Sequence, residues 1–400
     1  MAGFSTSART GLIWLAGLAV AAFSGMAAFA SVSGARNPLA AVGALPENGQ
    51  VYASAADAVL KLAIQDNKGA MPKAIPERSL GFARRAFAIE PLAVQAPRMV
   101  ALALDAEGES EEARRIMRLI PPLSKREAAT NVWLSADYAR QGNEAKAFAY
   151  FDMTLRVSES SVPLIIPPLV QGLEREELRA PLAKLLASAP PWENDFWLEA
   201  VQRPELAIPA ARLRRDLGRK QGSTLAVDRG LIENLVDEGN FAEALRHYRF
   251  LTGKQAAQDL NFPFERAPAF PPLDWELQAA GDFSAAIDPG ATQMVISAGP
   301  ATRDVVARRL VALEPGRYRA TVDYSATLAD GVTVSLALRC AETRAQPVRT
   351  TPYVPGQATS QIITTGGTCR YHLLEIEYRN DSPIDGVDIT LDAITLRKEA

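Results

Sequence analysis

The chain has 400 residues, 48% of them hydrophobic, and a formal net charge of -3. That is enough apolar material for two globular domains. The near-balance of charge leaves no basic footprint for nucleic acid, so no nucleic-acid partner is expected.

Between Arg9 and Arg36 there is no charged residue, and residues 12–23, LIWLAGLAVAAF, form one apolar run. Two readings fit. A secretory signal has a basic start, an apolar stretch of about 7–15 residues and a small-x-small cleavage site. Arg9, the run itself and Ala28-Phe29-Ala30 would fill those parts, with cleavage after Ala30. A transmembrane anchor needs about 20 apolar residues, and residues 11–32 supply them. Both readings export the rest of the chain. The excess of Arg over Lys and the abundance of Ala point to a bacterial source. Segment 1–36 is therefore expected as an uncleaved single-pass anchor of the inner membrane, amino end inside, with the bulk of the chain in the periplasm. A cleaved periplasmic or secreted protein is the alternative.

Residues 37–255 carry a helical rhythm. Gly108 and Gly142 lie 34 residues apart and open GESEEARRIMRLIPP and GNEAKAFAYFDMTLR; a third copy, GNFAEALRHYRFL, starts at Gly239. In each copy glycine ends one helix where a Cβ would obstruct the turn. Five residues on comes an alanine (Ala113, Ala147, Ala244) that permits close helix approach. Four further comes a larger apolar residue (Met117, Phe151, Tyr248), one turn along the same face. Tyr138 and Leu235, each four residues before its glycine, are placed to meet that face. The period marks stacked helix-turn-helix units, and these residues resemble the tetratricopeptide repeat. AFAIEP at 86–91 resembles the end of another unit, which puts repeat starts near 60, 94 and 128. QDNKGAMPKAI at 65–75 reads as an insertion, and 162–223 as two degenerate repeats. The resemblance implies a tetratricopeptide-like α-solenoid that docks a protein partner in the groove formed by the first helix of each pair. Gln95, Arg98, Asp105, Arg140, Arg229 and Glu233 are the candidate groove residues; solubilising charge is the competing reading of each. Trp133 is expected between the helices of its own repeat.

Residues 256–273, which include NFPFERAPAFPP, are rich in proline and read as an extended linker. Over 274–400 the period becomes two. Tyr318, Ala320 and Val322 alternate with polar residues, as do Val332, Val334, Leu336 and Leu338, and Leu374, Ile376 and Tyr378. A change of phase between Ala393 and Ile394 suggests a bulge. Short alternating strands separated by turns predict an antiparallel β-sandwich, so the fold class is a multidomain α plus β protein. Cys340 and Cys369 suit one disulfide in an oxidising compartment; two unrelated buried thiols are the alternative.

DWEL at 274–277 and LVALEPGRYRATVDY at 310–324 resemble the jelly-roll sandwiches of carbohydrate-binding modules. The resemblance implies a jelly-roll-like domain that binds glycan, with Trp275 as the candidate contact; packing of the sandwich is the competing role for that ring. Anchor, repeats and a sandwich with paired cysteines together resemble exported bacterial proteins associated with exopolysaccharide systems.

Chemistry-bearing motifs are sparse. His247 reads as a surface or groove residue and His372 as a core histidine, neither in a metal-ligand spacing. There is no GxSxG elbow, phosphate loop or dinucleotide motif, so no cofactor and no catalysis are expected. Two carboxylate pairs share strand faces, Asp274 with Glu276 and Glu375 with Glu377, the latter read as a solvated surface. Asp282, Asp288, Asp385 and Asp388 could meet a loop-bound calcium, although loop carboxylates without metal are commoner. The expected function is a non-enzymatic envelope scaffold, with a glycan-binding protein as the alternative and a glycoside hydrolase as the least favoured reading.

Overall fold

The structure, a computed structural model, describes residues 47–218, 225–253, 260–324, 331–343, 346–353 and 360–399, together with 36–42 and scattered positions between 20 and 32. The chain divides into two compact units, Met1–Ile165 and Ile166–Ala400. Broadly, a helical region is followed by antiparallel sheets.

After a short turn at Pro38–Ala41, the first unit is built from helical hairpins: α1 (Gly49–Asp66) with α2 (Glu77–Ile89), α3 (Gln95–Ala106) with α4 (Ser110–Leu123), and α5 (Ala128–Arg140) with α6 (Glu144–Val157). The helix starts are locally encoded. Asn48 accepts the N–H of Gln50 and Val51 at 2.9 and 3.3 Å, and Asn143 accepts that of Lys146 at 3.2 Å. Such caps contribute about 1 kcal/mol each. The loop 67–76 occupies the predicted insertion and moves the first hairpin forward, so α1 begins at Gly49 rather than near 60. The later starts, Gln95 and Ala128, fall within a residue of expectation.

The glycine turns recur with one geometry. Gly108, Gly142 and Gly239 have φ of 92°, 72° and 72°. The N–H of the following residue returns to a carbonyl five positions back: Glu109 to Leu104 at 2.8 Å, Asn143 to Tyr138 at 2.8 Å and Asn240 to Leu235 at 2.7 Å. These are helix-terminating loops that satisfy orphan carbonyls. Ala113, Ala147 and Ala244 are buried as the pattern requires, with Met117, Tyr248, Tyr138 and Leu235. Phe151 is only half-buried, as is its neighbour Tyr150, which packs on the core by stacking on Tyr138 with ring centroids 5.6 Å apart.

The second unit begins inside α7 (Val162–Gln171) and continues through α8 (Glu176–Leu186), α9 (Glu193–Val201), α10 (Ala207–Asp216), α11 (Leu225–Asp237) and α12 (Phe241–Thr252). Two sheets follow. The larger has the order β10 (Ser360–Thr365), β7 (Gly316–Tyr324), β12 (Val387–Lys398), β5 (Gln293–Ala298), β4 (Phe283–Asp288), β3 (Ala279–Ala280), with β1 (Asn261–Pro263) also on β12. The smaller runs β2 (Glu276–Leu277), β6 (Arg303–Ala312), β11 (Tyr371–Asn380), β8 (Val332–Cys340), β9 (Val348–Arg349). Every pairing is antiparallel, and the alternating apolar residues of both sheets share one core, including Met294, Val306, Val322, Leu336, Ile376 and Leu391. The bulge in β12 lies between Leu391 and Ala393, slightly before the expected phase change.

A third layer covers the smaller sheet. Phe241, Leu245 and Tyr248 of α12 pack with Phe270, Leu273 and Leu310, and with Tyr371 and Leu373 on the face of β11 turned away from the sandwich core. This changes the role of the proline-rich stretch. Its described residues do not form an extended linker: Phe262, Phe264, Phe270 and Leu273 are all buried, and Asn261–Pro263 pairs with β12. Burying each such side chain contributes roughly 1.5–3 kcal/mol. Proline removes donors from this segment, but the interleaved aromatic rings decide where it goes.

Candidate functional site

In the first unit the predicted groove residues sit on the first helices, but they are unequal. Arg98, on α3, is 6% exposed. It bonds Asp57 of α1, and it donates to Glu127, the residue before α5, at 2.8 Å. The other oxygen of Glu127 caps α5 through the N–H of Thr130 at 2.7 Å. Arg98 is thus a tie through three successive first helices rather than an open contact. Breaking such a buried pair costs about 3–5 kcal/mol, against about 0–1 kcal/mol for an exposed one.

Asp105 makes the next tie. It accepts from Ser110 Oγ at 2.7 Å and, across the hairpin boundary, from Trp133 Nε1 at 2.9 Å. Trp133 therefore bridges to the preceding hairpin instead of lying wholly within its own. The exposed guanidinium of Arg140 stands 5.9 Å from its ring centroid, a cation–π distance. Gln95 is half-buried, and its Oε1 has no hydrogen-bond partner among the described residues. Beside them Asp137 is buried and takes Arg114 through both oxygens, at 2.6 and 2.8 Å. Hydrogen bonding from Arg114 holds the Asp137 carboxyl below the usual aspartate range. Sequence reasoning missed Asp57, Glu127, Arg114 and Asp137. Nothing local marks the ties themselves, because Asp57–Arg98, Arg98–Glu127 and Arg114–Asp137 each join residues at least 23 positions apart.

In the second unit Arg229 donates to the carbonyl of Ala269 at 3.0 Å and so helps hold the aromatic segment; Glu233, one turn on, is exposed. The smaller sheet carries a charged row across its strands, in register from Glu276 through Arg308, Glu375 and Ala337 to Arg349. Glu276 binds Arg308 at 2.7 and 2.8 Å, Glu375 binds Arg339 at 2.9 and 3.0 Å, and Glu377 binds Arg349 at 2.7 and 2.9 Å. Glu375 is consequently not a solvated surface acid: it is 4% exposed, flanked by arginines of both neighbouring strands. Arginine stems bury what their guanidinium groups neutralise.

Trp275, the candidate sugar platform, is 2% exposed with the rings of Phe262 and Phe264 against it. A sugar cannot reach its face without displacing them. Cys340 and Cys369 form the disulfide. Their sulfurs lie with a Glu342 oxygen inside 4.8 Å. Glu342 Oε2 accepts the N–H of Arg370 at 2.7 Å and of Tyr371 at 3.3 Å, which fastens the start of β11. Asp282 and Asp388 line one shallow groove, whereas Asp288 caps its own turn at Gly290 and the Asp385 carbonyl accepts from Asn380. His247 is not a surface residue. It is fully buried, 3.8 Å from Asp228, which is itself paired with Arg214, and burial pushes its imidazole below the usual range. His372 is buried, as a core histidine should be, and burial lowers it likewise.

Among the described residues no helix is long and apolar enough to cross a membrane. The expected anchor or signal segment lies almost wholly outside the described residues, including Arg9, Ala30 and most of the apolar run. No protein-family model matches the chain, and no curated protein matches it either.

Proposed function

We propose that the protein is a non-enzymatic scaffold of the bacterial envelope. Its hairpins form a tetratricopeptide-like solenoid that docks a protein partner. The sheets form a jelly-roll-like sandwich, and the amino-terminal segment anchors the chain in the inner membrane with its bulk in the periplasm. Its context is polysaccharide assembly or export. The observation that carries the docking role is the chain of ties between hairpins, Asp57 to Arg98 to Glu127 and Asp105 to Trp133. First helices linked in this way present one preorganised surface, and preorganisation lowers the cost of binding. Arg140 stands exposed on it, over Trp133. The engagement of Glu276, Glu375 and Glu377 by arginines further supports a role without hydrolysis, since a glycosidase needs one carboxyl free to hold a proton.

Photocrosslinking in bacterial envelopes from position 140 tests the reading. A discrete protein partner is expected, its yield reduced by Trp133→Ala and unchanged by Arg84→Glu on the second helix of another hairpin. Equal crosslinking from positions 84 and 140 would sink it.

A second reading, a glycan-binding sandwich, has its own observation. A cleft of about 220 Å³ beside the disulfide is lined by Thr343, Gln346, Thr364 and Thr368, with His372 and the apolar Val348. Hydroxyl and amide groups next to a small apolar patch suit a neutral polyhydroxylated ligand. Polysaccharide co-sedimentation of the whole protein, compared with Thr364→Ala/Thr368→Ala, decides it. No retention by any polysaccharide removes this reading.

A further inference from the structure

The helical part of the second unit holds a half-open cleft of about 340 Å³ between the end of α8, the start of α9 and the end of α10. That is within the range of small-ligand sites, roughly 300–1,000 Å³. Ala183, Leu186, Ala187 and Trp197 supply apolar lining; Lys184, Glu193, Arg214 and Asp216 supply charge.

The charges differ in how far they are satisfied. Arg214 directs its donors to Asp228, at 3.0 and 3.4 Å, and to the Gly218 carbonyl at 2.7 Å. Asp216 accepts from Arg179 at 2.7 Å. Lys184 stands exposed, so water screens its ammonium. Glu193 is different. It is 9% exposed, and its carboxylate accepts a single hydrogen bond among the described residues, from Trp197 Nε1 at 3.3 Å. No cation lies within ion-pair distance of it among those residues. A carboxylate that lines a partly apolar cleft and accepts one hydrogen bond has acceptor capacity left for a cation.

We infer that the cleft binds an alkylammonium or guanidinium group. The cation pairs with Glu193, while its carbon chain lies along the apolar lining supplied by Ala183, Leu186 and Ala187. The same chemistry could be brought by a free small amine or by a lysine or arginine side chain of a protein. The assignment is independent of the docking surface on the first unit.

Calorimetric titration of the full-length protein tests it. The probes are n-butylammonium, N-acetyl-lysine N-methylamide, and butan-1-ol as the neutral analogue. Both amines, or one of them, bind, and the alcohol does not. Glu193→Gln weakens amine binding about tenfold or more, a change of about 1.4 kcal/mol. Ala187→Phe, a bulky substitution in the cleft lining, weakens binding and keeps the test decisive if Glu193→Gln fails to fold. Binding of n-butylammonium alone identifies a free amine as the ligand; preference for the lysine derivative identifies a protein side chain. Absence of amine binding at millimolar concentration, equal binding of butan-1-ol, or full affinity in Ala187→Phe overturns the assignment.

Discussion

Tyr248, on the last helix, donates its hydroxyl to Oδ1 of Asp274 at 2.7 Å, and Oδ2 of the same carboxylate accepts the N–H of Ala269 at 3.0 Å and of Phe270 at 2.9 Å. One carboxylate therefore fastens α12, the aromatic segment and the entry to the smaller sheet. Helices and sheets in this unit should unfold together.

Tyr248→Phe is expected to lower stability by about 1–3 kcal/mol at neutral pH, the cost of leaving a buried acceptor short of a donor. The phenol is raised above its ordinary value of 10.0, by burial first and then by the charge of Asp274. For a group with a raised folded value, the stabilisation is present below the unfolded value and lost as pH rises through the folded one. The gap between wild type and Tyr248→Phe in denaturant titrations should narrow as pH is taken above about 10. A gap that widens there contradicts the assignment.

Asp137 has the opposite sign. Arg114 depresses its carboxyl below the ordinary value of 3.8, so the contribution is present above that value and lost as pH falls through the folded one. Asp137→Asn should cost about 3 kcal/mol near neutrality, because it removes the buried one of the two carboxylates that pair with the largely buried Arg114, leaving the exposed Glu111. Acid titration of both proteins should bring their unfolding midpoints together. A difference constant down to pH 2 would show that the pair contributes nothing by charge.

Two glycines separate backbone strain from crowding. A Cβ at Gly142 meets no atom within 4 Å, but the residue has φ of 72°; Gly142→Ala should cost about 1–2 kcal/mol. At Gly230 the added Cβ would lie 2.5 Å from Val201 Cγ1, where α11 meets α9. Gly230→Ala should cost about 1–3 kcal/mol through overpacking. A double-mutant cycle reads the distinction: Val201→Ala recovers part of the loss at Gly230 and none of it at Gly142.

The disulfide closes a separation of 29 residues. Replacing both Cys340 and Cys369 by Ala should lower stability by about 3–4 kcal/mol in the chain-entropy account. Wild type measured in strong reductant should fall to the value of the double variant. No difference between reduced and oxidised wild type would mean that the link is not formed in solution.

Much of the broad architecture was legible in the chain. The apolar period changes from helical to two-residue, the glycines mark turns by a requirement for positive φ, and the cysteines sit at the ends of alternating runs. The candidate sites were less legible. Arg98 and Glu375 are charged residues on faces that looked open, and each is enclosed by partners at least 29 positions away in the chain. Trp275 and His247 were equally ambiguous, since a ring beginning a strand, or one on a helix, carries no mark of what lies over it.

The sequence by itself determined where chain elements begin and turn, and which side of each is apolar, because those properties depend on residues a few positions apart. Only the tertiary structure decided what covers each side. The proline-rich stretch could have spanned solvent, yet Phe262, Phe264 and Phe270 carry it into the cores between sheets and helices. That Arg98 ties helices is likewise a matter of packing, because its acids, Asp57 and Glu127, come from positions 41 and 29 residues away rather than from its own neighbours.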